Sequence, residues 1–395
     1  MDVQSIAAII FLVILGIILY VERKKLQVEK ILFPILYFVM YRTKWGIASM
    51  DAAGKKYKKA LTIIGYIAIV VGFVGMAFMI YMLFLNLYNM FFIPGAVSGV
   101  SPVLPVKAKG VFYVPFFYWI ISIFIIAVVH EYSHGIIART HDIKIKSSGL
   151  AFLCALLPII PAAFVEPDEN ELKKKSRAAQ LSVFAAGPFS NIVLGFVFLG
   201  LLLSMAPMLN GMSLENGVEV VGVLKDANGI KPAELAGLSE GVLITGINTD
   251  NIKTAEEFQS ALGKYKAGDT VTIHSSDNQD YQVALGAKPG DTGKPYLGVN
   301  IKPSTETNPE VIQKYGTVWP QVILWIAGLF YLLIILNLGI GLFNLVPLGP
   351  IDGGRMLLVG LGGIMEPKKA ELTWKIVSYL FLVLIVVSLV FSFIK

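Results

Sequence analysis

Cysteine is almost absent. Cys154 is the one thiol in 395 residues, which excludes any disulfide within the chain. It lies in an apolar run, where a free thiol packs as a small buried residue. Charge is short as well: Asp, Glu, Lys and Arg make up 15% of the sequence, against about 25% in soluble globular domains. Histidine occurs four times. These shortages exclude a disulfide-stapled secreted module and argue against an ordinary soluble fold. What is abundant is apolar surface, 55% of residues, gathered into long runs separated by short charged loops and one polar block. Such a distribution belongs to a polytopic α-helical membrane protein. A formal net charge of +6 could suggest nucleic acid in a soluble chain. Here Lys and Arg sit beside the apolar runs, where the positive-inside rule accounts for them. The expected partner is therefore the lipid bilayer, and no nucleic acid is expected.

A spanning helix needs about 20 apolar residues. Six segments qualify, at 5–21, 61–88, 112–138, 178–206, 318–345 and 372–394. Basic residues follow the first run instead of preceding it, so it reads as a span and not as a cleaved leader. Two further apolar stretches read as non-crossing. Ile31–Tyr41 is short and holds Pro34, while Leu150–Val165 holds Pro158 and Pro161, which break helices, and reads as a re-entrant element. Charge placement agrees with this count. The clusters at Arg23–Lys30, Arg42–Lys59, Arg139–Lys146, Lys173–Arg177 and Lys368–Lys369 all fall on one side, which is then cytoplasmic. Both termini and the polar block then lie outside the cell membrane. The chain divides into a transmembrane part, 1–207, an extracytoplasmic block, 208–317, and a second transmembrane part, 318–395. The loop 89–110 is rich in turn formers, among them Pro94-Gly95 and Ser101-Pro102, and is expected to be ordered only in part. The block is rich in Gly, Asp, Asn, Lys and Thr. It has β-like runs at Val218–Leu224, Val242–Ile247 and Thr270–His274, with one amphipathic helix at Thr254–Leu262.

The third span ends in His130-Glu131-Tyr132-Ser133-His134. Residues four apart share a helix face, so two imidazoles converge on one point, and neutral imidazole is a good zinc ligand. Glu131 is offset by one position and can reach water beside the metal. With so few histidines, a chance occurrence is on the order of 10⁻³. A solvated polar cap on the helix end is the bland alternative, and ionisable groups in an apolar helix argue against it. Zinc hydrolases need a third protein ligand. Asp352 is the one carboxylate between 311 and 365, on a turn bracketed by Pro347, Pro350 and Gly353-Gly354, and it is the candidate. His141 and His274 stand alone and read as surface residues. Glu166 and Asp168 read as solvated. Asn191 and Asn344 are amides in apolar surroundings. Interhelical hydrogen bonding and a role at a site both fit them.

These motifs resemble those of the site-2 proteases, intramembrane zinc metalloproteases. His130-Glu131-x-x-His134-Gly135 is similar to the family's zinc and base motif. Asn344 through Asp352-Gly353-Gly354 is similar to the second, whose Asp is the third zinc ligand. Gly187-Pro188-Phe189-Ser190-Asn191 is similar to its Gly-x-x-x-Asn element. The resemblance implies a core of spans three to five, a membrane-inserted loop at Leu150–Val165 that pairs with extended substrate, and substrate contacts from Asn191 and Asn344. The polar block resembles a PDZ domain through Lys231–Gly241, Ile244–Asn248 and Tyr296-Leu297-Gly298-Val299, with Val242 and Thr249 where the pattern has Asp and Gly. This implies capture of peptide C-termini or a size filter. The sequence thus reads as a zinc metalloendopeptidase cutting transmembrane segments of single-span membrane proteins in regulated intramembrane proteolysis. A membrane zinc transporter or metal-binding protein would use the same ligands without needing Glu131. A catalytically dead homologue acting as a scaffold is countered by the intact Glu131.

Overall fold

The computed structural model describes residues 3–32, 36–93, 96–155 and 157–394. Helix α1 (Val3–Val21) leads into strands β1 (Leu26–Leu32) and β2 (Leu36–Thr43), then α2 (Ile47–Lys56) and the long α3 (Lys58–Phe92). A two-residue parallel pair, β3 (Val103–Leu104) and β4 (Phe112–Tyr113), precedes α4 (Phe116–Thr140). Strands β5 (Ile145–Ala155) and β6 (Leu157–Pro167) follow, then α5 (Glu169–Lys174) and α6 (Arg177–Leu209). The polar block contributes β7 (Ser213–Val223), α7 (Pro232–Leu235), β8 (Leu243–Ile247), β9 (Asp250–Asn251) and α8 (Ala255–Leu262). Its remaining elements are β10 (Thr270–Ser275), β11 (Asp280–Ala284), β12 (Gly286–Lys288), β13 (Asp291–Tyr296), β14 (Val299–Thr307) and α9 (Pro309–Tyr315). The chain closes with α10 (Val318–Phe343), α11 (Asp352–Leu361) and α12 (Pro367–Ile394). Two compact units result, Met1–Leu203 with Gly328–Lys395, and Ser204–Ala327.

Five helices, α3, α4, α6, α10 and α12, are long and apolar enough to cross a membrane. They contain or closely match five of the six expected segments. The sixth, α1, has an apolar stretch of only Ile6–Val21 and falls short of the others. At 1.5 Å per residue, the 35 residues of α3 run about 52 Å, well beyond the ~30 Å hydrocarbon layer. Gly65, Ala68, Gly72 and Gly75 are buried and recur at steps of three and four, which places them on one face of α3. A Cβ at Gly65 would stand 2.9 Å from Ser182, one at Gly72 2.6 Å from Met356 and one at Gly75 2.5 Å from Leu345. Backbone therefore approaches α6, α11 and the segment before it closely, as small residues permit where lipid supplies no hydrophobic drive.

The stretches Ile31–Tyr41 and Leu150–Val165 form β-strands. Residues 33–35, with Pro34, and residue 156 lie outside the described residues, as do Pro94 and Gly95 of the loop 89–110. The strands make one antiparallel sheet in the order β1-β2-β5-β6. β2 pairs with β5 from Tyr37↔Cys154 to Thr43↔Ser148, and β5 with β6 from Ile145↔Pro167 to Ala155↔Leu157. The sheet thus has an edge at β6, and Pro161 is tolerated there because an edge strand can leave a backbone donor out.

In the second unit the sheet runs β11-β10-β8-β7-β14, with β9 on β8 and β12 on β13. Period-two alternation sends Val271 and Ile273 of β10 inward, onto a core with Val218, Ile244, Ile247, Phe258 and Leu297. Thr254 caps α8 in a reciprocal box with Glu257. Asn248 takes the positive φ of 50° at the turn after β8, so Thr249 need not be glycine. His274 bonds Asp280 through Nδ1 at 2.6 Å and the Asn248 carbonyl through Nε2 at 2.8 Å, so it is a paired side chain on the sheet.

The second unit has its own core, which leads to a direct test. A fragment covering 208–317 should unfold cooperatively in urea, and Ile273→Ala should lower its stability by about 2–5 kcal/mol, the range for a fully buried Ile. A non-cooperative transition, or an unchanged midpoint in the variant, would contradict an independent core.

Candidate active site

The site begins with α4, which is unbroken through residues 127–135 and so holds His130 and His134 on one face. Each is 8% exposed. α6 supplies the next layer. His134 Nδ1 donates to the Val183 carbonyl at 2.6 Å, which fixes the tautomer and leaves the Nε2 lone pair pointing the other way. The Nδ1 of His130 lies 3.1 Å from Asn191 Nδ2.

Asp352 comes from the far end of the sequence. It is the first residue of α11, not a residue of a free turn. Gly353 N donates to the Asn344 carbonyl at 2.7 Å. A Cβ on Gly353 would collide with the Leu345 carbonyl and one on Gly354 with that of Leu348. Only glycine lets the helix start press so closely on the chain leaving α10. This approach puts Asp352 Oδ2 at 3.0 Å from His130 Nε2 and 3.4 Å from His134 Nε2. The two Nε2 atoms are 3.2 Å apart.

Among the described residues these three form the group able to hold a metal ion, with ligand atoms within 4.8 Å of one another. The spacing suits zinc. Ligands 2.0–2.1 Å from a tetrahedral centre stand about 3.3 Å apart, and the three observed separations run from 3.0 to 3.4 Å. The volume is also left open on purpose. A Cβ at Gly187 would lie 2.6 Å from His130 Nε2 and closer still to His134 Nε2. A glycine inside a helix costs roughly 1 kcal/mol relative to Ala, and this position gives the reason for it.

Glu131 lies beside the trio and outside it. Its Oε2 accepts a hydrogen bond from Val165 N of β6 at 3.0 Å. Because Val165 donates away from β5, Ala163, two residues back, also presents its backbone outward on that edge. A cavity of about 500 Å³ opens here, lined by His130, Glu131, His134, Asn344 and Asp352 with Arg42, Lys146, Glu166 and Arg355 among its charged groups. Water therefore has a polar path to the trio.

Five of the six candidate residues line this cavity. Asn191 does not; it is fully buried behind His130. Asn344 contributes its backbone carbonyl to the α11 start and borders the cavity. His141 is half-buried, 2.9 Å from Ser182 Oγ, and burial together with Lys58 and Lys175 lowers its pKa. Glu166 accepts a hydrogen bond from Ser147 Oγ at 2.6 Å and is ion-paired with Arg42, and these together hold its carboxyl below the usual range. Asp168 caps α5 through Asn170 N at 2.9 Å. All three therefore have protein partners and are not simply solvated, and none joins the metal group. The sequence offered no sign of the Val183 carbonyl or the Val165 amide, since backbone groups leave no residue signature. Gly187 stands in the Gly-x-x-x-Asn element, but its part in keeping the space beside His130 and His134 open is visible only in the structure.

Residues 118–388 match the model of peptidase family M50. Uncharacterized protein MJ0971 of Methanocaldococcus jannaschii is 27% identical, over 89% of this chain and 84% of its own. Zinc metalloprotease RasP of Shouchella clausii is 24% identical, over 51% of this chain and 55% of its own. Zinc metalloprotease RasP of Oceanobacillus iheyensis is 26% identical with the same coverage, 51% and 55%. The chain thus spans about half the length of the two named proteases. The PDZ domain of the SdrC-like protein from Listeria monocytogenes is 31% identical, with a TM-score of 0.19, over 22% of this chain and 87% of that domain. The family match covers most of the chain and takes in the whole trio, Glu131, Asn191 and Asn344. The chain belongs to peptidase family M50, the site-2 proteases, and is a zinc metalloprotease of the membrane.

Proposed function

We propose that the chain hydrolyses peptide bonds within transmembrane segments of single-span membrane proteins, with Glu131 as the base and His130, His134 and Asp352 as the zinc ligands. The observation that carries this is the convergence of two imidazoles and a carboxylate at tetrahedral spacing opposite Gly187, with Glu131 alongside. Zinc held there supplies the Lewis acid that makes water nucleophilic near neutral pH. Glu131 takes the proton from the attacking water and returns it to the leaving amine nitrogen. The Val165 N–H fixes one carboxylate oxygen of Glu131 so that this exchange happens at a set position. An α-helical substrate hides its carbonyls. Unwound and laid along the β6 edge near Ala163, it would expose one to the site, with Asn344 bordering the same cavity.

Asn191 fits a role in positioning His130. With Asn191 Nδ2 donating to Nδ1, the proton sits on Nε2, facing Asp352. A metal on Nε2 needs the proton on Nδ1 instead. Asn191 Oδ1, buried with no hydrogen-bond partner, is the acceptor for that N–H once the amide turns. A zinc transporter would use the trio but has no use for a base tied to a strand edge.

In the second unit, β14 is the terminal strand of the sheet. The turn before it carries Leu297, 2% exposed, and Gly298 at a φ of 77°. A peptide C-terminus added along β14 is the binding mode that suits this edge. Lys and Arg placement supports an orientation with this unit outside the cell.

Three outcomes test these assignments. Glu131→Gln should retain zinc by metal analysis yet cut a model transmembrane peptide at least ~10²-fold more slowly; loss of zinc would move Glu131 among the ligands. Asp352→Asn and Gly187→Ala should both lose zinc, whereas Asn191→Ala should weaken zinc affinity by about 10–100-fold. Unaltered zinc retention in Asp352→Asn would remove it from the ligand set. In a Cys154→Ser background, Thr292→Cys should react with an impermeant thiol reagent from outside intact cells and Lys369→Cys should not; the reverse pattern would invert the orientation.

A further inference from the structure

A second cavity, of about 690 Å³, adjoins the metal cavity and shares with it Glu169, Leu172, Phe184, Pro350 and Arg355. It opens where α5, the start of α6, α11 and α12 meet. Three cations line it, Lys173, Arg177 and Arg355, against one carboxylate, Glu169. That carboxylate is stretched between two of them, 3.9 Å from Lys173 and 3.8 Å from Arg355. Among the described residues no carboxylate stands within ion-pair distance of Arg177. Apart from Gln180, whose amide donates to the Lys175 carbonyl, the remaining walls are mainly apolar, including Phe184, Leu358, Val359 and Trp374. Arg355 stacks over the Phe184 ring at 5.5 Å. Trp374 adds a buried indole N–H with no acceptor. The positive-inside rule explains why cations gather at this end of the helices. It does not explain why they converge on a largely apolar-walled cavity, one of whose lining residues buries an N–H donor without a protein acceptor.

Uncompensated positive charge and an N–H donor call for an anion with several acceptor oxygens, and the planar guanidinium fork matches phosphate. Free phosphate gains nothing from Phe184, Leu358, Val359 and Trp374, whereas an acyl chain does. We propose that this cavity binds the phosphate head of an anionic phospholipid, held by Arg177 and Arg355, with its chain against the apolar wall. Such a site follows the general preference of basic pockets between transmembrane helices for anionic headgroups. It stands apart from the proteolytic assignment, since it needs only that the chain be embedded in a bilayer. Arg355 lies one turn beyond Asp352 on α11, so the occupant would also brace the helix that carries the carboxylate.

The test uses the full-length protein, delipidated in detergent, and reads Tm by scanning fluorimetry. Dioleoyl phosphatidylglycerol should raise Tm by several degrees, while phosphatidylcholine and inorganic phosphate at equal concentration should leave it unchanged. Arg177→Gln should abolish the shift and Trp374→Phe, which keeps the ring and removes the N–H, should reduce it. Lys369→Gln, at an exposed cation outside the cavity, should keep it whole. Absence of a phosphatidylglycerol shift, or a shift of wild-type size in both Arg177→Gln and Trp374→Phe, overturns the site. A shift given equally by inorganic phosphate overturns the lipid as its occupant.

Discussion

Everything at the centre of this molecule depends on how closely backbone can approach backbone. The carboxylate of Asp352 reaches His130, 222 residues away in sequence, and His134 beside it, and it does so because Gly353 and Gly354 let α11 start against the chain leaving α10. On the opposite side Gly187 withholds the one methyl group that would fill the space between the ligands. Gly65, Gly72 and Gly75 repeat the device on α3, where it lets α6, α11 and the segment before α11 pack close to that helix.

That packing puts a demanding group where it can be tolerated. A carboxylate with a side chain 15% exposed is costly unless its charge is answered. The two imidazoles stand against it, a zinc ion held in the proposed site would answer it further, and the hydrogen bonds from His134 to Val183 and between His130 and Asn191 hold the rings in place. Around this dry centre the structure arranges a wet one. Arg42, Lys146, Glu166 and Arg355 border the cavity, which gives a hydrolytic site in a lipid-embedded unit the water it consumes.

Much of this was legible in the residues. His130, Glu131 and His134 announce themselves because histidine is rare here and the helical period puts two of them on one face. Asp352 was found by elimination, since no other carboxylate sits in its apolar stretch. The helices declared themselves by length, apart from α1, whose apolar run is short. The sheet was harder. Ile31–Tyr41 and Leu150–Val165 are too apolar to show period-two alternation, and their prolines point only to broken helix; an edge strand is the reading that burial against α4 selects. Asn191 fits both an interhelical hydrogen bond and a substrate contact in the sequence, which cannot say which side of a helix faces a cavity; the structure sets its amide 3.1 Å from His130 Nδ1. His141 looked free because its partner, Ser182, is 41 residues on.

The hydrogen bond from Val165 to Glu131 has a mechanical side. A carboxylate on a helix ordinarily moves with that helix and with nothing else. Here its oxygen is tethered to a strand, and β2 and β5 stiffen that strand through the ladder and through Arg42, which grips Glu166 one residue beyond Val165. The sheet therefore acts as a lever whose short arm ends on Glu131. A hydrogen bond fails within a few tenths of an ångström of its working length, so a small slide of β6 along α4 is enough to release Glu131, and a load that presses the strand home is enough to seat it.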